Sequence, residues 1–249
     1  MRGVSWQVIL GFFLVLLSAV FYVLHFVIFR DAHHIFIYLI GDVAFVFIEV
    51  LMVTMIIHQL LSVRDKRARL EKLNMVIGAF FSEVGTRLLT YFSDFDPNLK
   101  DIRRELVVTA DWSDKQFSYV SNRLKGYQYG VEIPKVELEY LRDFLVGKRD
   151  FLLRLLENPN LLEHEEFTGL LRAVFHLTEE LESREHIGQL PESDYQHLAG
   201  DIKRAYILLV HEWLRYMKHL KDHFPYLFSL AMRINPFDQS ASPIVGESN

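Results

Sequence analysis

The chain has 249 residues, 51% of them hydrophobic, a formal net charge of −5 and no cysteine. Its mean hydropathy of +0.13 is too apolar for an ordinary soluble domain, and the apolar excess lies in the first 60 residues. Without cysteine there is no disulfide, no thiolate metal site and no cysteine nucleophile.

Charge is unevenly spread. Residues 58–90 carry Arg64, Lys66, Arg67, Arg69, Lys72 and Arg87 against Asp65, Glu71 and Glu83, while everything after residue 90 sums to −7. So acidic a distal part suits neither nucleic acid nor an anionic lipid surface, and no nucleic-acid partner is expected.

Trp6 to Phe29 is an uncharged run of 24 residues. As a helix it is about 36 Å long, more than a hydrocarbon core of about 30 Å requires. A cleaved signal peptide is disfavoured, because the run is too long for a typical apolar region of that kind and a second apolar segment comes immediately after it. Arg30 to His34 is the expected loop, short enough to force antiparallel neighbours. The second span is expected over about residues 35–57, giving a transmembrane hairpin over residues 1–58. The cations from Arg64 to Lys72 outweigh the single Arg30 of the loop, which places both termini in the cytoplasm and the protein in the inner (plasma) membrane.

Two carboxylates interrupt the second span. Asp42 and Glu49 are seven residues apart and therefore share a helix face. His25 in the first span lies near the level of Asp42 and is its candidate partner. Glu49 meets no cation at its level, only Ser18 and Val15, so it is expected to be neutral or partnered outside the hairpin. His25, Asp42 and Glu49 are thus the intramembrane candidates for an ion or proton site, with a pure anchor as the plainer alternative. A haem or metal site from His25, His33 and His34 is a remoter one.

From Gln59 to Phe92 the helical pattern continues, defining a juxtamembrane helix over residues 59–93. A heptad counted from Asp42 makes Leu70, Leu73, Ile77, Phe80 and Val84 an apolar seam in the same register as the two acids. The seam can form a coiled coil with copies of the chain, giving a homo-oligomer, or pack on the chain's own distal domain. Gly78, Ser82 and Gly85 form a second, small-residue face.

Residues 94–235 read as an all-α bundle. Asp96-Pro97 opens a short helix over residues 98–108. Ser113-Asp-Lys-Gln116 is a capping box for a helix ending near Gly126. Helices are expected over residues 135–157 and 162–186, and a second capping box at Ser193-Asp-Tyr-Gln196 opens a long one. That helix has an inner stripe through Leu198, Ile202, Leu209 and Trp213, and its outer repeat of His197, Arg204, His211 and Lys218 reads as solvated. Pro225 ends or kinks it. Residues 236–249 are Ser/Gly-rich and expected to be disordered.

Catalytic signatures are missing: neither His211-Glu212 nor His164-Glu165 is accompanied by a zincin's second histidine, and no phosphate-binding loop or nucleophile elbow occurs. His176 and Glu180, at i,i+4, are the best metal pair, though no cofactor is called for. The leading expectation is a membrane protein with lipid as its first partner, its cytoplasmic bundle acting as scaffold, sensor or regulatory module for another protein. The alternative is a homo-oligomeric cation or proton conductor built on Asp42 and Glu49.

Overall fold

The computed structural model describes residues 6–132, 138–159, 161 and 164–245. Helices are α1 Trp6–Phe29, α2 Ala32–Phe80, α3 Thr86–Asp94, α4 Asp114–Lys125, α5 Leu138–Gly147, α6 Arg149–Leu156, α7 Glu165–Glu182, α8 Glu192–His223 and α9 Pro225–Arg233. No strand occurs among the described residues. The chain divides into two compact units, Met1–Lys66 and Arg67–Asn249, with the boundary inside α2.

In the first unit, Ile9–Phe29 and Ala32–Arg64 are long and apolar enough to cross a membrane, and neither is buried. The turn between α1 and α2 is tighter than the sequence suggests. Arg30 adopts the left-handed conformation at φ 53° and donates its backbone N–H to the Phe26 carbonyl at 2.9 Å, closing α1 as a glycine usually does. Asp31 then caps α2, its Oδ1 accepting from the backbone N–H of His33 at 2.9 Å and of His34 at 3.2 Å. His33 and His34 are therefore the first turn of a helix and not part of a loop.

The second unit is built on α7 and α8. Contacts pair His164 with Glu212, His176 with Asp201, and Arg184 with Asp194. Partner numbers fall as α7 advances, so the two helices are antiparallel. Phe167, Leu170, Leu171, Val174, Leu177 and Leu181 of α7 meet Leu198, Ile202, Ala205, Tyr206, Leu209 and Met217 of α8, all of them buried. Each such Leu or Phe contributes on the order of 2 kcal/mol by leaving water.

The apolar seam is used inside this unit. Leu73, Ile77, Phe80 and Val84 are at most 3% exposed, while the side chain of Leu70 lies outside the described residues. Phe80 packs edge-on against Phe167, with ring centroids 5.5 Å apart, and Phe81 stacks on Tyr216 at 5.0 Å. Leu73, Ile77, Phe80 and Val84 thus pack on the chain's own bundle, the second of the two uses expected for the seam. A π turn over Phe81–Gly85 joins α2 to α3. A Cβ on Gly85 would lie 2.6 Å from Phe81 Cδ1 and 2.9 Å from Phe80 Cε1, so the close packing needs glycine there.

Further elements depart from expectation. Residues 98–108 form two 3₁₀ turns, Leu99–Asp101 and Arg103–Leu106, because Leu99, Ile102 and Leu106 must all turn inward in a short span. The helix expected over residues 135–157 is two, α5 and α6, broken at Gly147-Lys148; residues 133–137 lie outside the described residues. The Ser113 capping box forms. The Ser193 box does not: α8 starts at Glu192, and Gln196 Nε2 donates to Glu192 Oε1 at 2.8 Å instead of reaching back to Ser193. The segment after α9 is also partly core. Phe237 is fully buried, edge-on to Trp213 at 4.9 Å, and Asn235 Nδ2 donates to the Leu106 carbonyl at 3.0 Å. Residues 246–249 lie outside the described residues.

Candidate functional site

In the first unit, Asp42 and Glu49 are exposed on one face of α2. The expected His25–Asp42 pair is replaced by a ring cluster: His25 stacks on His34 at 5.7 Å and tilts against Phe29 at 4.8 Å, and His34 meets the edge of Tyr38 at 4.6 Å. The earlier start of α2 raises His34 to the level of His25 and takes the place expected for Asp42. These rings border a cavity of about 640 Å³ that also touches Ser18 and Tyr22.

In the second unit, charged chemistry gathers along the α7/α8 seam at two levels. The lower one holds His164, Glu166, Glu212 and Arg215. Glu212 is 3% exposed, and burial pushes its carboxyl up to about 7 although Arg215 Nη1 donates to it at 3.2 Å. Arg215 Nη1 also pairs with Glu166. His164 caps α7, its Nδ1 accepting from the Phe167 N–H at 3.1 Å. Burial, then the charge of Arg215, lowers the pKa of that imidazole. Its Nε2 lies 3.9 Å from Glu212 Oε1. The guanidinium of Arg215 joins both carboxylates, so this level is an ion-pair network already furnished with its own cation.

The upper level brings together four residues from two i,i+4 pairs, His176 and Glu180 on α7 and His197 and Asp201 on α8. His176 Nε2 lies 3.7 Å from Glu180 Oε1 and 3.6 Å from Asp201 Oδ2. His197 Nε2 lies 3.5 Å from Glu180 Oε2 and 3.4 Å from Asp201 Oδ2. Arg184 grips Glu180 at 2.8 Å and both oxygens of Asp194 at 2.7 Å. Its hydrogen bond is the main cause that holds the Glu180 carboxyl below the usual range. Arg204 donates to Asp201 Oδ1 at 2.9 Å. Asp201 is 3% exposed, and its Oδ2 is buried without a hydrogen-bond partner.

Sequence reasoning singles out His176 and Glu180 but misses their partners. The heptad repeat with Arg204 and Lys218 puts His197 on a solvated face, yet at half exposure it leans onto Asp201 and Glu180. Asp201, three residues after Leu198 and four before Ala205, lies at the edge of the inner stripe but is passed over as a charged residue. The signal that could have found both is the matching of His-x-x-x-Glu in one helix with His-x-x-x-Asp in the next.

Two further charged residues escape notice as a site. Asp96 is 7% exposed and accepts from the N–H of Asn98 at 3.0 Å and of Gly130 at 3.3 Å through Oδ1, and from the Tyr127 hydroxyl at 2.7 Å through Oδ2. Three donors converge on one carboxylate, which fixes the Tyr127–Val131 loop against α3. Arg87 donates to the Tyr140 hydroxyl at 2.9 Å and lies 4.6 Å over the Phe144 ring, tying α3 to α5. Both arrangements satisfy structural needs.

Similarity to known proteins covers both units. Residues 2–61 match the family described as "MJ1433, N-terminal helical domain", and residues 69–233 the one described as "Uncharacterized protein MJ1433, C-terminal helical domain". These matches part inside α2, as the two compact units do. "Uncharacterized protein MJ1433" of Methanocaldococcus jannaschii is 45% identical over 241 residues, covering 97% of each chain. No solved structure matches. By both its domains and its full-length likeness, the chain belongs to the MJ1433 family.

Proposed function

We propose that the protein is an integral membrane protein, a hairpin of two spans with both termini in the cytoplasm, whose helical domain works as a sensor or regulatory interaction module. The carrying observation is the exposure of the apolar helices. Phe12, Ile40 and Phe47 are each more than 70% exposed, as part of a continuous apolar surface over α1 and the first half of α2. Water does not tolerate such a surface, whereas a bilayer removes it from water along its whole length. The cations from Arg64 to Lys72 support the orientation. A regulatory role, more than simple anchoring, is supported by the two charged levels on the α7/α8 seam. Buried Asp201 and Glu212 are not needed to pack two helices that already share an apolar interface, and buried charge of this kind is costly to stability.

The absence of native cysteine makes a direct test clean. Ala32→Cys and Ser240→Cys variants are expressed in intact cells and treated with a membrane-impermeant maleimide. Labelling of Ala32→Cys alone is the expected result, together with retention in the membrane fraction after alkaline carbonate. Release by carbonate overturns the membrane assignment, and labelling of Ser240→Cys alone overturns the orientation.

One observation favours a second reading, a homo-oligomeric cation conductor: Asp42 and Glu49 present an acidic stripe on the exposed surface of α2. It requires several chains per particle in mild detergent and an ion flux in vesicles that Glu49→Gln removes. A monodisperse monomer eliminates it.

A further inference from the structure

We propose that His176 and Glu180 of α7, with Asp201 of α8, form a binding site for one tetrahedrally coordinated transition-metal dication of the zinc class. The site lies wholly in the second unit and does not depend on the membrane assignment.

The arrangement starts from spacing. In each helix, i and i+4 lie one above the other on the same face, so each contributes one imidazole and one carboxylate at adjacent levels. Antiparallel packing then sets His176 across from Asp201 and His197 across from Glu180. Nε2 of His176, Oε1 of Glu180 and Oδ2 of Asp201 converge, and His197 packs beside them on Asp201 Oδ2 and Glu180 Oε2.

Distances distinguish the possibilities. The four nitrogen–oxygen separations run from 3.4 to 3.7 Å. They exceed the roughly 2.7–3.2 Å of an N–H···O hydrogen bond, so the four groups do not satisfy one another directly. Ligand atoms at about 2.0–2.2 Å from a zinc ion in tetrahedral geometry are about 3.3–3.6 Å apart, close to the 3.7 and 3.6 Å that separate His176 Nε2 from Glu180 Oε1 and Asp201 Oδ2.

Asp201 supplies the independent observation. Its residue is 3% exposed, and Oδ2 has no hydrogen-bond donor although it faces both imidazoles. A buried carboxylate oxygen without a partner is a costly exception in a native fold. A cation among His176, Glu180 and Asp201 supplies the missing partner. The surrounding arginines orient the carboxylates: Arg204 holds Asp201 by Oδ1 and so leaves Oδ2 for the ion, while Arg184 holds Glu180 by Oε2 and leaves Oε1. Such outer contacts are the usual means of fixing metal ligands.

Donor chemistry narrows the ion. The imidazole of His176 in the set selects against calcium and magnesium, which take all-oxygen shells, and favours zinc or a neighbouring first-row metal. Three protein ligands tie α7 to α8 and leave the fourth position of the ion to water. Both histidines are about half exposed, so an ion reaches the site without unfolding. The His164 level differs at the decisive point, since Arg215 Nη1 bridges Glu166 and Glu212 and occupies the place of a cation.

The test uses the full chain in detergent, stripped of metal with a chelator and titrated with cobalt(II) chloride and then zinc(II). The expected result is the intense visible absorption of tetrahedral cobalt, saturating at one ion per chain and abolished by equimolar zinc. His176→Asn and Asp201→Asn variants lose that absorption, and zinc no longer raises their melting temperature. Absence of tetrahedral absorption in the unmutated protein overturns the proposal without recourse to any variant. So does saturation at several ions with a weak octahedral spectrum, or an unchanged spectrum in both variants.

Discussion

Glu212 gives the sharpest test of the energetics at the α7/α8 seam. Its carboxyl is pushed up to about 7 by burial, from an ordinary value of 4.5. The groups facing it are Arg215 on its own helix, with Glu166 beyond, and His164 at the start of α7. Because the folded state holds the proton more tightly than the unfolded chain, this residue's contribution to stability falls as pH rises from about 4.5 to about 7 and is constant above. Linkage sets the loss at about 3 kcal/mol, an order-of-magnitude figure. Glu212→Gln keeps the shape and an acceptor for Arg215 while removing the ionisation. Near pH 4 the variant and the parent are expected to melt together. Near pH 8 the variant melts higher, by about 6–12 °C at the usual conversion for a domain of this size. The measurement is thermal unfolding of the full chain in detergent at both pH values, monitored by tryptophan fluorescence, since Trp213 is buried in the same helix turn. A variant less stable than the parent near pH 8 refutes the reasoning, because the ionised carboxylate would then be contributing more through Arg215 than its burial costs.

Three other substitutions probe the rest of the chain. Gly85→Ala places a Cβ against the fully buried rings of Phe80 and Phe81, which have no room to retreat, and is expected to cost about 1–3 kcal/mol in thermal or denaturant unfolding. Asp96→Ala leaves the Tyr127 hydroxyl and the Asn98 and Gly130 N–H groups without their acceptor; a loss of about 3–5 kcal/mol is expected, and a change under about 1 kcal/mol would contradict the reading of that carboxylate as the anchor of the loop. Arg30→Gly relieves a left-handed conformation at φ 53° and is expected to raise the midpoint of unfolding in SDS by an amount equivalent to about 0.5–1 kcal/mol.

Composition and periodicity alone determined the two apolar N-terminal helices, the all-helical character of the rest of the chain, and the Ser113 capping box. Those features depend on local physics: a run of uncharged residues, a repeat near 3.6, a side chain reaching three residues along. What covers a face is not local, and there the tertiary structure decided. The stripe from Leu73 to Val84 has the pattern of a seam in either setting, and only the position of Phe167 and Tyr216 shows that it is buried in the chain's own bundle. His197 repeats in step with Arg204 and Lys218, as a solvated residue would, yet the antiparallel pairing of α7 and α8 sets it beside Glu180. Asp201 stands three residues after Leu198 and four before Ala205, at the edge of the inner stripe, where the sequence allows an acid to be buried or exposed. Its burial, and with it the four-residue cluster, comes from where two helices meet, because residues on different helices, distant along the chain, become neighbours only when that contact forms.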